Sequence, residues 1–233
     1  MASAVLDPLA HARTAMIESQ LMPCGIIDSR LLAAFAAVPR ERFVAEGRAE
    51  LAYAETVQPM GGGRWMAPPL ATARLLAAAE VQPGERVLLV GAGTGYTAAL
   101  LAAMGAEVIA LEADAQLAAR ARELLAGWPG ITLVTGALTA GWPEAAPYDL
   151  ILFDGAVEHV PDAIAAQLAP GGRIAAIIAG SDGVSRLALG RVVPSTSPSR
   201  PAPGEPVRVA FDILAECAAP RLPAFTLPRT FRF

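Results

Sequence analysis

The sequence predicts an α/β fold in which helices cover both faces of a mostly parallel central sheet, preceded by an N-terminal helical extension. Between residues 86 and 178, short continuous apolar runs alternate with stretches of helical character. Continuous apolar runs indicate strands buried on both faces, which is typical of parallel sheets with helices on either side. The chain has 233 residues, of which 54% are apolar, so we expect one structural domain with a large core.

The N-terminal extension is assigned to residues 1–80. Helices are predicted over residues 7–21, 28–38 and 69–80. Asp28 is a preferred N-cap residue, and Pro69 suits the first turn of the third helix. A glycine triplet at residues 61–63 predicts a turn before that helix.

The core is assigned to residues 81–215 and a C-terminal tail to residues 216–233. Core strands are predicted over residues 86–90, 107–111, 131–134, 149–153 and 173–178, and helices over residues 96–104, 115–125 and 162–168. Two alternating strands, 185–193 and 207–214, flank a segment with five prolines at residues 194–206, which predicts a mobile connection. The tail alternates prolines and aromatic residues, and we expect it to pack across a surface. The order of the last strands stays open.

Composition excludes several classes of function. All 18 basic residues are arginine, and the net charge is −4. No long basic stripe is present, which argues against binding to a nucleic acid backbone. The absence of lysine excludes Schiff-base catalysis and a lysine-bearing phosphate loop. The two cysteines and two histidines lack metal-ligand spacing, which predicts no metal centre and a reduced compartment. Glycine and proline interrupt the long uncharged runs, so we expect a soluble, cytoplasmic protein with no membrane partner.

A glycine-rich turn, Gly91-Ala92-Gly93-Thr94-Gly95-Tyr96, joins the first core strand to its helix. Glycine lets the backbone approach a ligand, and a helix N-terminus offers unpaired N–H groups. Glu112 ends the next strand, 21 positions after Gly91, where an acid binds ribose hydroxyls. The alternative is a tight turn with a surface glutamate. A dinucleotide fingerprint needs Gly or Ala where this chain has Tyr96. The spacing instead resembles motif I of class I S-adenosylmethionine-dependent methyltransferases.

A more specific resemblance covers roughly residues 14–180. The matching segments are Gln20, 25–28, Val38-Pro39-Arg40-Glu41-Arg42-Phe43-Val44, 52–53, 59–63, Pro69, 91–96, Glu112, Gly136, 141–142, 147–149 and 167–172. Together they resemble the protein-L-isoaspartate O-methyltransferases, and the segment at 38–44 is the most specific piece. The resemblance implies a Rossmann-like methyltransferase fold, S-adenosyl-L-methionine as cofactor, and methylation of isoaspartyl carboxylates in damaged proteins or peptides.

The resemblance and the strand ends together suggest the site residues. The predicted cofactor-binding residues are Gly91, Ala92, Gly93, Tyr96, Glu112, Ala113, Gly136, Ala137, Leu138 and Asp154. The predicted catalytic residues are Arg64, Ala67 and Asp154. Arg64 suits a substrate carboxylate because its guanidinium is a permanent, fork-shaped carboxylate binder; the alternative is a solvated arginine in a flexible turn. Asp154 is an acid at the end of the fourth strand, suited to the methionine ammonium or to a substrate, or else an ordinary turn residue.

The chain departs from the family pattern at three places. The family's T-I-S-x-P segment is Trp65-Met66-Ala67-Pro68-Pro69 here, so both hydroxyls that hold the substrate carboxylate are missing. Leu89 stands where motif I carries an acid, and Ala137 replaces the acid that meets the adenine. Two alternatives therefore stay open: a methyltransferase for a different acceptor, and a catalytically silent relative that acts as an interaction module.

Overall fold

The computed structural model describes residues 7–193 and 207–227. Within them the strands are β1 (Gln58–Gly61), β2 (Arg64–Met66), β3 (Arg86–Val90), β4 (Glu107–Glu112), β5 (Ile131–Thr135), β6 (Tyr148–Val157), β7 (Leu168–Ala179), β8 (Ser185–Val192) and β9 (Val209–Glu216). The α-helices are α1 (Pro8–Met16), α2 (Ser29–Ala37), α3 (Pro69–Ala79), α4 (Tyr96–Ala103), α5 (Ala115–Leu124) and α6 (Asp162–Ala165).

Seven strands form one sheet in the order β5-β4-β3-β6-β7-β8-β9. The first five pair in parallel, whereas β8 and β9 extend the sheet antiparallel in sequence order. The predicted mostly parallel sheet is confirmed, and the order of the last strands, which the sequence left open, is a simple meander.

The sheet separates two hydrophobic cores, and β3 contributes to both. Val87 and Leu89 lie in the core on one face, while Leu88 and Val90 lie in the core on the other. Residues of α1–α5 cover the first face. The second face is covered more thinly, by the short helix α6, by 3-10 turns and by residues of the C-terminal tail. This alternation explains why the strands read as continuous apolar runs.

The helix ends follow the predicted signals. The Asp28 carboxylate accepts hydrogen bonds from the backbone of Arg30 and Leu31, so it caps α2 as expected. Pro69 begins α3. The first predicted helix is confirmed as α1, continued by a π-helical turn to Leu21 and a 3-10 turn to Cys24.

Three features differ from the sequence-based expectation. The helix predicted over residues 162–168 ends at Ala165, because β7 begins at Leu168, five residues before its predicted start, and Leu168 pairs with Tyr148 of β6. Strands β1 and β2 form a separate antiparallel hairpin around the glycine triplet, where only a turn was predicted. Strand β6 runs to Val157, four residues beyond its predicted end. The extension pairs with β7 through Ala156 and Val157, and the tail pairs with its other side: Ala156 N–H donates to Pro220 O at 2.8 Å, and Leu222 N–H donates to Ala156 O at 2.8 Å.

The described part of the tail packs as predicted, with Leu222 and Phe225 buried in the second core. The proposed boundary at residue 80 falls one residue after the end of α3, and the one at 215 falls one residue before the end of β9. The proline-rich segment 194–206 lies outside the described residues. In the described ranges, no helix is both long and apolar enough to cross a membrane.

Candidate functional site

The carboxyl ends of four parallel strands meet at one edge of the sheet. Val90 is paired with Leu111 and with Phe153, and Glu112 is paired with Thr135. The residues at or just beyond these pairs are therefore neighbours at this edge: Gly91, Glu112, Gly136 and Asp154. Ligands of open α/β sheets bind at such an edge.

The glycine-rich turn forms a cradle above this edge. Gly91 and Gly93 have φ angles of 80° and 57°, which disfavour any residue with a Cβ. A Cβ on Gly91 would lie 3.2 Å from Arg64 Nη2 and 3.0 Å from a Leu222 methyl group, and one on Gly93 would lie 2.8 Å from the Met60 sulfur. The absent side chains leave a space that the tips of Arg64, Met60 and Leu222 fill.

Glu112 lies at the floor of the cradle with 1% of its surface exposed. Its carboxylate accepts N–H donors from Gly93 at 2.7 Å, Ala113 at 2.8 Å and Asp114 at 3.0 Å. It also accepts from Arg64 Nη1 at 3.2 Å. The alternative of a surface glutamate is wrong, because the residue is buried and joins the glycine-rich turn to the end of β4.

Arg64 reaches the cradle from the β1–β2 hairpin. Alternation along β2 turns Arg64 and Met66 inward and leaves Trp65 46% exposed. The Arg64 guanidinium donates to both Glu112 oxygens and, through Nη2, to the Gly91 carbonyl at 2.9 Å. With 8% exposure it is not a solvated arginine. The structure thus places this residue beside Glu112.

Ala67 lies in the segment where the family carries its hydroxyl residues. A buried arginine binds its carbonyl oxygen. Arg40 donates from Nη2 to the Ala67 carbonyl at 2.6 Å and from Nε to the Ala52 carbonyl at 2.7 Å. The side chain is fully buried, and this burial lowers the pKa of Arg40. Arg40 belongs to the most family-specific segment, 38–44, but it was not predicted as a site residue. Its bonds fix the backbone of the loop.

Asp154 lies in an irregularity of β6. The pairing with β7 shifts between Leu152 and Ala156, so that three residues oppose one. Such bulges re-aim side chains next to active sites. Burial raises the pKa of Asp154 to about 6, although a hydrogen bond with Thr97 and the positive charges of Arg64 and Arg40 act in the opposite direction. Burial therefore outweighs the two arginines in its effect on the pKa of Asp154.

Gly136, Ala137 and Leu138 follow β5 at the same edge. Gly136 N–H donates to the Glu112 carbonyl at 3.1 Å, and Leu138 is buried at the start of a 3-10 turn. A Cβ on Gly136 would lie 3.2 Å from the Trp142 ring. These residues and the indole provide an apolar wall, without the carboxylate that the family pattern places at Ala137.

The Tyr96 side chain points away from the cradle. Its ring packs against Phe35 and Phe43, and the Arg40 guanidinium lies 4.8 Å from its centre. Burial raises the pKa of Tyr96 to about 12. Any contribution of Tyr96 to cofactor binding must therefore come from its backbone.

A groove of about 850 Å³ opens beside the turn, between the loop at residues 41–49 and α5. Met60 and Thr94 line it together with charged side chains of both signs. The Thr94 hydroxyl donates to the Phe43 carbonyl at 2.7 Å, which ties the glycine-rich turn to the N-terminal extension. The glycine-rich turn thus borders an open groove at Thr94.

Comparison with known proteins agrees with this geometry. The family model for protein-L-isoaspartate(D-aspartate) O-methyltransferase matches residues 12–187. A protein-L-isoaspartate O-methyltransferase of Methylorubrum extorquens (strain PA1) is 45% identical over 184 residues, which are 78% of this chain and 80% of that protein.

Solved structures show the same fold. A structure described as a protein-L-isoaspartate O-methyltransferase aligns with a TM-score of 0.73 at 23% identity, covering 90% of this chain and 65% of the other. A candidate enzyme of that name from Plasmodium falciparum, solved with S-adenosyl-L-homocysteine, aligns with a TM-score of 0.72 at 19% identity, covering 91% and 98%.

The family model spans three quarters of the chain, and the predicted Rossmann-like methyltransferase fold is confirmed. The chain belongs to the protein-L-isoaspartate(D-aspartate) O-methyltransferase family.

Proposed function

We propose that the chain transfers a methyl group from S-adenosyl-L-methionine to isoaspartyl carboxylates of damaged proteins or peptides. Family membership supports the enzyme class and the cofactor. The observation that carries the site assignment is the buried Glu112 carboxylate bonded to the Gly93 N–H at 2.7 Å, because it joins an acid for ribose hydroxyls to a glycine cradle.

The residues present fit this cofactor. The cradle would be closed by a Cβ at Gly91 or Gly93, and it is occupied by the ends of flexible side chains, which can move aside. Glu112 and the neighbouring Ala113 would hold the ribose, and the wall at Gly136, Ala137 and Leu138 would hold the adenine. Asp154 would bind the methionine ammonium, since its carboxylate stands at the adjacent strand end.

The chemistry demands positioning more than proton transfer. A carboxylate has a reference pKa of about 4, so the acceptor is already ionised at neutral pH and needs no general base. S-adenosyl-L-methionine supplies an activated methyl group on a sulfonium. The protein must align the acceptor oxygen with that methyl group and exclude competing water. Arg64, close to the cradle, is the side chain suited to holding an acceptor carboxylate.

Loss of the family's hydroxyl residues changes how the acceptor is held. One missing donor at an anion-binding site costs about 3 kcal/mol. We propose that Arg64 compensates, while Arg40 fixes the Ala67 backbone in the loop. The bond from Arg40 Nη2 to the Ala67 carbonyl, at 2.6 Å, supports this role for Arg40.

The partner we propose is an isoaspartyl-containing protein or peptide in the cytoplasm, rather than nucleic acid or a membrane. The two alternatives, another acceptor and a silent interaction module, are not favoured, because relatives at 45% identity carry the isoaspartate methyltransferase name.

The test is a methyl-transfer assay on matched peptides. The purified chain is incubated with radiolabelled S-adenosyl-L-methionine and either an isoaspartyl peptide or its aspartyl isomer. We expect base-labile label in the isoaspartyl peptide alone, and loss of labelling in Glu112→Gln. Cofactor binding by calorimetry without labelling of the isoaspartyl peptide would refute the proposed acceptor.

A further inference from the structure

The Glu112 carboxylate has no free capacity for another donor while Arg64 is bound to it. Oε1 accepts from the Ala113 and Asp114 N–H groups, and Oε2 accepts from the Gly93 N–H. Arg64 Nη1 lies 3.3 Å from Oε1 and 3.2 Å from Oε2. A carboxylate offers about four lone-pair sites, so four N–H groups saturate it.

Only one of these donors can leave without unfolding the site. Gly93, Ala113 and Asp114 contribute backbone N–H groups at the turn and at the end of β4. Arg64 is a side chain on a two-stranded hairpin whose turn consists of glycines. Ribose hydroxyls can therefore reach Glu112 only in place of the Arg64 guanidinium.

Resting on the proposed function, we propose that Arg64 couples the cofactor and acceptor sites: it is the counter-ion of Glu112 in the free enzyme, and cofactor binding releases it to hold the acceptor carboxylate. Arg64 is then a positioning and binding residue whose two anionic partners are used in turn. The released guanidinium also leaves the Gly91 carbonyl, which it contacts at 2.9 Å in the cradle.

The physical basis is the cost of an unpaired buried charge. Because only 8% of Arg64 is exposed, its guanidinium cannot separate from the Glu112 carboxylate without binding either water or another anion. The acceptor of the proposed reaction brings one carboxylate to the same cleft. The released arginine is thus ready for the acceptor only after the methyl donor is bound, and acceptor affinity should depend on prior cofactor binding.

This coupling predicts that replacement of the buried Arg64 tightens cofactor binding. In Arg64→Gln a neutral side chain competes less well with the ribose hydroxyls for the Glu112 carboxylate. The cofactor site is therefore open in a larger fraction of the molecules. Calorimetric titration with S-adenosyl-L-homocysteine should give about tenfold tighter binding than wild type, by population-shift arithmetic. Arg64→Lys, which keeps the charge, should fall between the two. Arg122→Gln on α5, an exposed arginine, is the matched control and should bind as wild type does.

Acceptor affinity supplies the second readout. An unreactive complex with S-adenosyl-L-homocysteine should bind the isoaspartyl peptide at least tenfold more tightly than the free protein, since linkage between two ligands is reciprocal. In Arg64→Gln this dependence should disappear. Thermal unfolding of each variant checks that the fold is retained.

Equal or weaker cofactor binding by folded Arg64→Gln would overturn the inference, because Arg64 would then be neutral or supportive at Glu112. Peptide binding that does not depend on S-adenosyl-L-homocysteine in wild type would overturn the acceptor half. Tighter cofactor binding by Arg64→Gln together with no isoaspartyl labelling by wild type would refute the proposed function but support competition for Glu112.

Discussion

Glu112 and Asp154 are the two carboxylates at the strand edge, and their surroundings give them different properties. Glu112 accepts hydrogen bonds from three backbone N–H groups and from an arginine, which fix the position of its carboxylate. Asp154 is held in a bulge, where burial raises its pKa to about 6. The first suits a permanent anchor for ribose, and the second a contact that depends on pH.

We expect Glu112→Gln to weaken binding of S-adenosyl-L-homocysteine strongly. Hydrogen bonds to a charged group contribute about 1.5–3 kcal/mol each, which corresponds to a loss of roughly 10- to 100-fold in affinity. Calorimetry measures it, and Glu107→Gln at the exposed start of β4 is the matched control. Unchanged affinity in Glu112→Gln would refute the ribose role.

Cofactor affinity should also depend on the protonation of Asp154. The neutral form, populated below the raised pKa of about 6, cannot pair with the methionine ammonium, so affinity should rise with pH. Between pH 5 and pH 7 a single proton predicts an increase of roughly tenfold. Asp154→Asn should remove this dependence, whereas Asp212→Asn on the exposed face of β9 should retain it. A pH profile that Asp154→Asn leaves unaltered would contradict the assignment.

The sequence predicted the positions of these acids, but not their partners. The interval from Gly91 to Glu112 and the strand ends are local patterns. The contact between Arg64 and Glu112 joins residues 48 positions apart and depends on how the hairpin folds back. Arg40 was missed as a site residue for the same reason, since its acceptors at Ala52 and Ala67 are unremarkable in sequence.

The β1–β2 hairpin is the element that brings Arg64 into the site. Its glycine turn rests on the N-cap of α5: a Cβ on Gly62 would lie 2.7 Å from the Asp114 carboxylate. Asp114 in turn accepts N–H groups from Gln116 and Leu117. The hairpin turn therefore lies against Asp114, and the Asp114 N–H group in turn donates to the Glu112 carboxylate.

Two alanine substitutions separate this contact from backbone strain. Gly62 and Gly63 both have positive φ, 57° and 71°, and each substitution to alanine costs about 1–2 kcal/mol from conformation alone. Only Gly62→Ala also collides with Asp114, because a Cβ on Gly63 meets nothing within 4 Å. Denaturant unfolding should show Gly62→Ala as less stable than Gly63→Ala by about 1 kcal/mol or more. Equal stability would mean that the turn does not rest on Asp114.

Elements with strong local signals were predictable, and those created by distant pairing were not. The Asp28 cap of α2, the start of α3 at Pro69 and the apolar runs of the sheet follow from residue type and periodicity. The hairpin has short strands, one containing Pro59, and so lacks a clear pattern. The extension of β6 pairs with β7 on one side and with residues 220–222 on the other, and its own sequence encodes neither pairing.

In the whole molecule, the tail joins the second core to the site. Phe225 is fully buried with its ring centre 5.2 Å from that of Phe153, and Leu222 lies against Gly91 and Gly155. The ion pair between Arg221 and Glu158 adds a contact between the tail and the segment after β6. The predicted packing of the tail across a surface is confirmed for its described residues.

Phe225→Ala should destabilise the protein by about 3–5 kcal/mol, because it leaves a cavity against β6. Leu227→Ala is the matched control: this leucine is 49% exposed, and its truncation should change stability by less than about 0.5 kcal/mol. Denaturant unfolding measures both. Similar small effects would show that the tail is not part of the cooperative fold.

The most direct measurement of the central claim is a crystal structure with S-adenosyl-L-homocysteine and an isoaspartyl peptide bound together. We predict that Glu112 accepts the ribose hydroxyls and that the Arg64 guanidinium has left Glu112 for the peptide carboxylate. Cofactor seated on Glu112 with Arg64 still in place, or a peptide carboxylate held without Arg64, would contradict the account.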